Sequence, residues 1–132
     1  MKKTILSVII LASVAICTSC NKAEEDLTCS ETKIAKVLKV EGPKSMNINT
    51  ELTLNISIEG LNGCAGFGNY SETTVGNTTE IITTAKYQGC ACTQALITFI
   101  VPYKFIKSTP GNYVLKFSQP DNTYITYNIT VQ

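Results

Sequence analysis

The stretch Leu52–Ile58, "LTLNISI", indicates how this 132-residue chain folds. Its apolar residues alternate strictly with Thr53, Asn55 and Ser57. Alternation with a period of two is typical of a β-strand that buries one face. The same pattern, weaker in the first case, recurs over Ile81–Tyr87, Tyr113–Phe117 and Ile125–Val131. No stretch shows helical spacing, so the chain is predicted to be all-β.

Two further segments are predicted to be strands. Ile34–Val40 reads as a first strand, which ends at a Gly-Pro turn. Ala95–Phe105 is apolar on both faces, which indicates either a central strand or a strand bent at Pro102. About seven short strands at this spacing favour an antiparallel sandwich of two sheets, and a small barrel is the alternative.

The stretch Thr109–Phe117, "TPGNYVLKF", resembles the penultimate strand of immunoglobulin-like and fibronectin-like domains. In those domains a Pro-Gly turn leads into a tyrosine and then into alternating core residues. The resemblance implies that Tyr113 is the corner tyrosine of such a sandwich. The chain departs from true immunoglobulin domains, because it has no tryptophan and no cysteine pair at the usual inter-sheet positions.

The N-terminus has the features of a secretory signal. Lys2 and Lys3 are followed by an apolar run, Ile5–Ile16. A helix that spans a bilayer needs about 20 apolar residues, so this run is too short to be one and fits a signal peptide instead. We therefore predict that residues 1–19 are a signal peptide.

Small residues, Thr18 and Ser19, come directly before Cys20. This arrangement resembles a bacterial lipobox, although Cys17 stands where lipoboxes usually carry Leu or Val. The resemblance implies that cleavage makes Cys20 the first mature residue and that its thiol is lipidated. Several acyl chains would then hold the protein on a membrane that it does not span. The alternative is an ordinary signal peptide cut near Ser19, which leaves Cys20 as a thiol.

An acidic run, Glu24–Asp26, follows Lys22. It resembles the export signal of Bacteroidetes-type lipoproteins, which implies an outer-membrane lipoprotein exposed at the cell surface. A periplasm-facing location, with the acids serving as a solvated linker, is the alternative. The predicted organisation is a signal peptide over 1–19, a lipidated N-terminus and tether over 20–32, and a β-sandwich over 33–132.

Composition argues against several classes of function. Lysine supplies all eleven positive charges against ten acids, so no basic stripe is available for nucleic acid. The chain has no His, which removes the commonest general base and the commonest metal ligand. The carboxylates are scattered, and no catalytic pair stands out. We therefore expect a protein that is not an enzyme and that needs no cofactor.

Four cysteines remain in the predicted mature chain besides Cys20, namely Cys29, Cys64, Cys90 and Cys92. An exported chain meets an oxidising compartment, so they are expected to form two disulfides. A Cys90–Cys92 bond would close a very tight ring and is set aside. Either Cys64 pairs with Cys90 and Cys29 with Cys92, which we favour, or the partners exchange.

The same cysteines permit a different function. Cys64, Cys90 and Cys92 are the residues expected to act in a thiolate metal site or a redox dithiol. A Cys-x-Cys spacing differs from that of most structural zinc sites, and no thioredoxin-like βαβ pattern surrounds it. Structural disulfides are therefore the favoured interpretation, with the metal or redox protein as the alternative.

The glycine-rich segment 62–70 is predicted to be a loop with two aromatic residues. One hypothesis is that Phe67, Asn69 and Tyr70 form a ligand-binding loop, because binding residues concentrate on loops held by a rigid scaffold. The other is that Phe67 closes the end of the sandwich while the glycines permit the turn. The predicted function is a binding or accessory module of the cell envelope, whose partner is a protein or a glycan.

Overall fold

The computed structural model describes residues 29–132, which form nine strands and, within that range, no helix. The predicted signal peptide, the lipidation site at Cys20 and the acidic run over 24–26 lie outside the described residues. The strands are β1 (Ser30–Ile34), β2 (Lys36–Glu41), β3 (Ser45–Met46), β4 (Leu52–Gly60), β5 (Ala65–Val75), β6 (Thr78–Gln88), β7 (Ile97–Phe105), β8 (Gly111–Ser118) and β9 (Tyr124–Val131).

The strands form two sheets packed face to face, which confirms the predicted β-sandwich. One sheet has six strands and is built around β6. β5 pairs with one edge of β6, while β1 and β8 pair with different parts of the other edge of β6. β9 pairs with β8, and β3 pairs with β9. The other sheet has the order β2-β4-β7. All pairings are antiparallel except β3 with β9 and β6 with β8, which are parallel.

The core lies between the two sheets and comes from the alternating segments. In β4 every second residue from Leu52 to Gly60 is buried. The opposite sheet contributes Ile81, Leu115 and Phe117, all of them fully buried. Each such side chain stabilises the fold by about 1.5–3 kcal/mol relative to exposure. The alternation in the sequence therefore predicted the buried face of these strands correctly.

The corner tyrosine is also confirmed. The hydroxyl of Tyr113 donates a hydrogen bond to the carbonyl of Thr109 at 2.9 Å, and its side chain is buried. A bond from this tyrosine to the backbone a few residues upstream is the tyrosine corner of immunoglobulin-like sandwiches. The resemblance over 109–117 thus identified a real structural feature.

The predicted first strand, Ile34–Val40, corresponds largely to β2, except for Ile34, which is the last residue of β1 in the other sheet. β1 pairs with β6, and after Ala35 the chain crosses over so that β2 pairs with β4. β1 begins at Ser30, inside the segment assigned to the tether. All five of its residues are exposed, so β1 buries no apolar face, and the alternation of hydrophobic residues could not reveal it.

β7 is an edge strand, so the interpretation as a central strand is wrong. Among the described strands it pairs only with β4, and the register runs through Pro102 without a break. Proline has no N–H to donate and is accepted on an edge, where that position faces away from the partner strand. The exposed apolar residue Ile100 explains why both faces of the segment looked buried.

Candidate functional site

An open cleft of about 510 Å³ lies at the end of the sandwich where the chain crosses from β1 to β2. This volume is within the range of ligand pockets in proteins, about 300–1,000 Å³. Its apolar wall is formed by Ile34, Leu61, Tyr87 and Pro120, and its charged lining by Lys33, Lys36 and Glu59. Sequence reasoning missed this cleft.

Tyr87, near the end of β6, organises one side of the cleft. Its ring is almost fully buried, and its hydroxyl accepts a hydrogen bond from the Leu61 N–H at 3.2 Å. The ammonium group of Lys33 lies 5.9 Å from the ring centroid, at cation–π distance. Tyr87 thereby sets the positions of an apolar and a charged side chain at the mouth of the cleft.

Gln119 holds the opposite wall in place. Its side-chain amide accepts from the Val37 N–H at 3.1 Å and donates to the Val37 carbonyl at 3.2 Å, as a neighbouring strand would. Both residues are buried, so these bonds attach the turn after β8 to β2. Pro120 follows directly and is thus placed over the cleft. No sequence pattern marks a glutamine for this role.

The rim of the cleft carries charges that are already paired. Lys36 lies 3.8 Å from Glu59, and Lys33 lies 3.0 Å from Glu31. Both lysine side chains are about half exposed, so each pair contributes roughly 0–1 kcal/mol to stability. The result is an apolar centre with a polar, nearly neutral border.

Two disulfides close this end of the molecule, and the favoured pairing is wrong. Cys29 is bonded to Cys90, and Cys64 to Cys92. This is the exchanged arrangement that the sequence analysis left open. As predicted for either arrangement, the bonds connect the segment around Cys64 to the one around Cys90 and attach the tether to the domain. The pairing is a consequence of where β1 lies.

The backbone explains why Cys29 meets Cys90 and not Cys92. Gly89 donates its N–H to the Cys29 carbonyl at 2.9 Å, so the ladder between β1 and β6 continues to that point and Cys90 follows next to it. Gly89 has a φ of 132°, a region that favours glycine, and there the chain turns. Cys92 then lies beside Cys64, where the Gly63 N–H donates to the Thr93 carbonyl at 3.0 Å.

Most of the predicted 62–70 loop is strand. Only residues 61–64 form a turn, and β5 begins at Ala65. The β5–β6 register shifts between Phe67 and Tyr70, which marks a β-bulge at this edge. A glycine-rich run of this kind reads as a loop in the sequence because strands seldom contain three closely spaced glycines.

The three residues of the predicted binding loop have different surroundings. Phe67 is 41% exposed, lies on the core side of β5 opposite Ala85, and contacts the Tyr70 ring at 4.8 Å. Asn69 is held by Thr84, whose hydroxyl accepts from the Asn69 N–H at 2.9 Å. Tyr70 packs edge to face on Tyr103 at 5.2 Å. Of the three, Phe67 offers an aromatic surface to solvent.

Burial shifts the titration of two tyrosines next to this bulge. It raises the pKa of Tyr70 well above the usual range of a phenol. It does the same for Tyr103, where the carboxylate of Glu72 adds to the effect. Both groups therefore stay protonated at neutral pH. In the turn between β8 and β9, hydrogen bonds from Thr123 lower the pKa of the exposed Asp121.

Among residues 29–132 there is no cluster of three or more His, Cys, Asp or Glu side chains placed to hold a metal ion. In the same range, no helix has the length and hydropathy needed to cross a membrane. The four cysteines of this range are all disulfide-bonded. Their sulfurs are therefore engaged in covalent cross-links in this structure.

Residues 29–132 therefore form a β-sandwich domain in which two disulfides cross-link the segments around Cys29, Cys64 and Cys90. A family model, the ORF11 beta-sandwich domain, matches residues 54–131, from within β4 to the end of β9. The match covers more than half of the chain, so the chain belongs to this family. No curated protein and no solved structure matches it.

Proposed function

We propose that this domain is a non-enzymatic binding or accessory module of the cell envelope, held on the outer membrane by lipid on Cys20 and exposed at the cell surface. The resemblance of residues 18–20 to a lipobox and the acidic run after Lys22 support the location. The two disulfides support an extracytoplasmic location further, because disulfides form and persist in oxidising compartments.

The observation that carries the binding role is the cleft beside the Cys29–Cys90 disulfide. Its centre is apolar and its border is polar, which is the anatomy of a protein interaction surface. Ile34 and Leu61 remain 46% and 49% exposed at its mouth. We assign the cleft to a protein partner that inserts an apolar side chain between them. A glycan is the less favoured ligand, because the ring of Tyr87 is too buried to form a stacking platform.

The alternative function, a metal or redox protein that uses Cys64, Cys90 and Cys92, is less favoured. Thiolates bind metals and attack disulfides, whereas a sulfur in a disulfide is no longer a thiolate. Counting free thiols in the denatured, unreduced protein separates the two functions. Our proposal expects none of these cysteines to react, and stoichiometric reactive thiols with bound metal would establish the alternative.

The location is tested by labelling intact cells with a membrane-impermeant amine reagent. Exposed lysines such as Lys39 and Lys104 should react before the outer membrane is opened. Cys20→Ala should release the protein from the membrane fraction without changing its fold. Labelling that requires permeabilised cells would place the domain on the periplasmic side and leave the binding role open.

The binding role is tested with a photo-crosslinking amino acid in place of Leu61. Ile100 is the matched control, since it is 63% exposed on the outer face of the three-stranded sheet and does not line the cleft. We expect one discrete protein conjugate from position 61, none from position 100, and loss of the conjugate when Ile34→Asp is added. A conjugate whose added mass is carbohydrate would identify a glycan ligand. Equal conjugates from both positions would refute the cleft as the site.

A further inference from the structure

β1 has one edge that no other described strand covers. It pairs with β6 along one side, and it lies at the end of the strand order β1-β6-β8-β9-β3. Its register with β6 is regular over all five residues, without a bulge or a proline. Both faces of the strand are exposed. A regular, exposed strand edge is a template on which another chain can pair.

The pattern of backbone hydrogen bonds shows which groups face outward. The Cys29 carbonyl and the Ala35 N–H bond to β6, at 2.9 and 2.8 Å. In an antiparallel pair, hydrogen-bonded positions alternate along the strand. The odd-numbered residues of β1 therefore direct their backbone groups to β6. Ser30, Thr32 and Ile34 direct theirs to the open side.

The sequence of β1, "SETKI", is complementary to itself in the antiparallel direction. If a second copy pairs about Thr32, Glu31 of each chain lies opposite Lys33 of the other. Thr32 then meets Thr32, and Ser30 meets Ile34, with outward backbone groups at all of these positions. The alternation of outward-facing backbone groups and the positions of the charges therefore select the same register.

We propose that two copies of this chain associate through β1, forming one continuous sheet across a two-fold axis at Thr32. The interface contains about six backbone hydrogen bonds, two for each of three hydrogen-bonded pairs. The two Glu31–Lys33 pairs occupy the closer, non-hydrogen-bonded positions, where opposite charges stabilise pairing. Lys33 and Ile34 also line the cleft, but the pairing uses the backbone edge of β1 and does not depend on which ligand the cleft binds.

The other edges in the described part of the chain are less suited to self-pairing. β5 carries its bulge and directs Glu72 to the core side, β7 contains Pro102, and β2 has a register shift after Val37. These features oppose edge-to-edge pairing. β9 is regular but has no charged residue, so it offers no charge complementarity to itself. β1 is the edge where register and charge agree.

The sharpest test is a charge swap in the full chain, purified in mild detergent and studied by sedimentation. Glu31→Lys should weaken self-association about tenfold, because two attractive pairs become repulsive. Lys33→Glu should do the same. An equimolar mixture of the two variants should recover association, since every facing pair is then of opposite charge. Both side chains are exposed, so the fold should be unaffected.

Lys39 and Glu41 provide a matched control, because they form a similar exposed pair two residues apart on β2. Glu41→Lys makes the same change in net charge and should leave association unchanged. Thr32→Pro, which removes an outward N–H but no bond to β6, should abolish it. A wild-type chain that is monomeric at every concentration would overturn the proposal. So would Glu31→Lys and Glu41→Lys variants that associate equally.

Discussion

Single buried hydroxyl groups show how tightly individual residues are specified in this fold. Tyr113 and Thr83 are both buried, but Tyr113 has a backbone partner whereas Thr83 has no hydrogen-bond partner among the described residues. A satisfied buried hydroxyl contributes to stability, and an unsatisfied one costs about 1–3 kcal/mol. The two residues should therefore respond to loss of the hydroxyl in opposite directions.

Tyr113→Phe should lower the free energy of unfolding by about 1 kcal/mol, because it removes the bond to the Thr109 carbonyl and keeps the ring. Urea denaturation of the unreduced protein measures this. Tyr124→Phe is the control, since Tyr124 is 49% exposed and its bond to Glu80 is open to water. The tyrosine corner would have no energetic role if the two variants behaved alike.

Thr83→Val should leave the free energy of unfolding unchanged or raise it by about 1 kcal/mol, since a methyl group of similar size replaces an unpartnered hydroxyl. Tyr70→Phe should behave in the same way, because the Tyr70 hydroxyl is also buried with no hydrogen-bond partner among residues 29–132, and Tyr70 lies opposite Thr83. The measurement is again denaturation. Destabilisation by both variants would indicate a bound water that joins the two hydroxyls.

At the scale of strands, the bulge in β5 depends on the absence of side chains. A Cβ atom on Gly68 would come within 3.0 Å of the Thr84 carbonyl oxygen and within 2.5 Å of its hydroxyl. Gly66, two residues earlier, has room, with its nearest contact at 3.9 Å. The close approach of β5 to β6 is therefore localised at Gly68, where Thr84 also holds Asn69.

Gly68→Ala should cost about 1–3 kcal/mol of stability, because the strands must separate or Thr84 must lose its bonds to Asn69. Gly66→Ala should change stability by less than about 1 kcal/mol, in either direction. Thermal unfolding of the two variants side by side provides the comparison. Equally small effects would mean that the bulge tolerates a side chain at position 68.

Strands that bury one face could be predicted from the sequence, whereas strands defined by pairing alone could not. β4, β8 and β9 were identified because their buried residues alternate. β1 is exposed throughout, and its first three residues fall in the segment predicted to be the tether. β7 looked central because an exposed Ile100 carries the same hydropathy as a buried one. Hydrophobic periodicity reports burial, and a strand edge leaves no such signal.

The cleft and the disulfide pairing depend on the whole molecule. The residues that line the cleft come from four stretches of the sequence, 33–36, 59–61, 87 and 120, which the fold brings together. Gln119 attaches the turn after β8 to Val37, and these two residues are 82 positions apart in the sequence. The choice between Cys90 and Cys92 depends on how far the β1–β6 ladder extends. None of these relations is local, so no local pattern could have revealed them.

The Cys29–Cys90 bond should act mainly on β1. The loop-closure entropy of a 61-residue separation corresponds to roughly 4 kcal/mol. Because β1 buries no side chain, replacing both cysteines by Ser should let β1 detach, and the loss of global stability should be smaller than that. Hydrogen exchange should show fast exchange at Lys33 and Ala35 while β4 and β8 stay protected.

The matched variant removes the Cys64–Cys92 bond, with a separation of 28 residues. This loop lies between β4 and β7 and includes the central strand β6, so its loss should reduce protection across the whole domain. Uniform loss of protection in the Cys29 and Cys90 variant would mean that β1 belongs to the same cooperative unit as the core.

The central claim is that the sulfurs beyond Cys20 form two structural bonds, one of which fastens the N-terminal segment beside the cleft. Peptide mapping of the native, unreduced protein by mass spectrometry tests it most directly, with backbone fragmentation at Ala91 to separate Cys90 from Cys92. We predict cross-links from Cys29 to Cys90 and from Cys64 to Cys92, with no free thiol at these four positions. Free thiols there, or a cross-link from Cys29 to Cys92, would contradict the account.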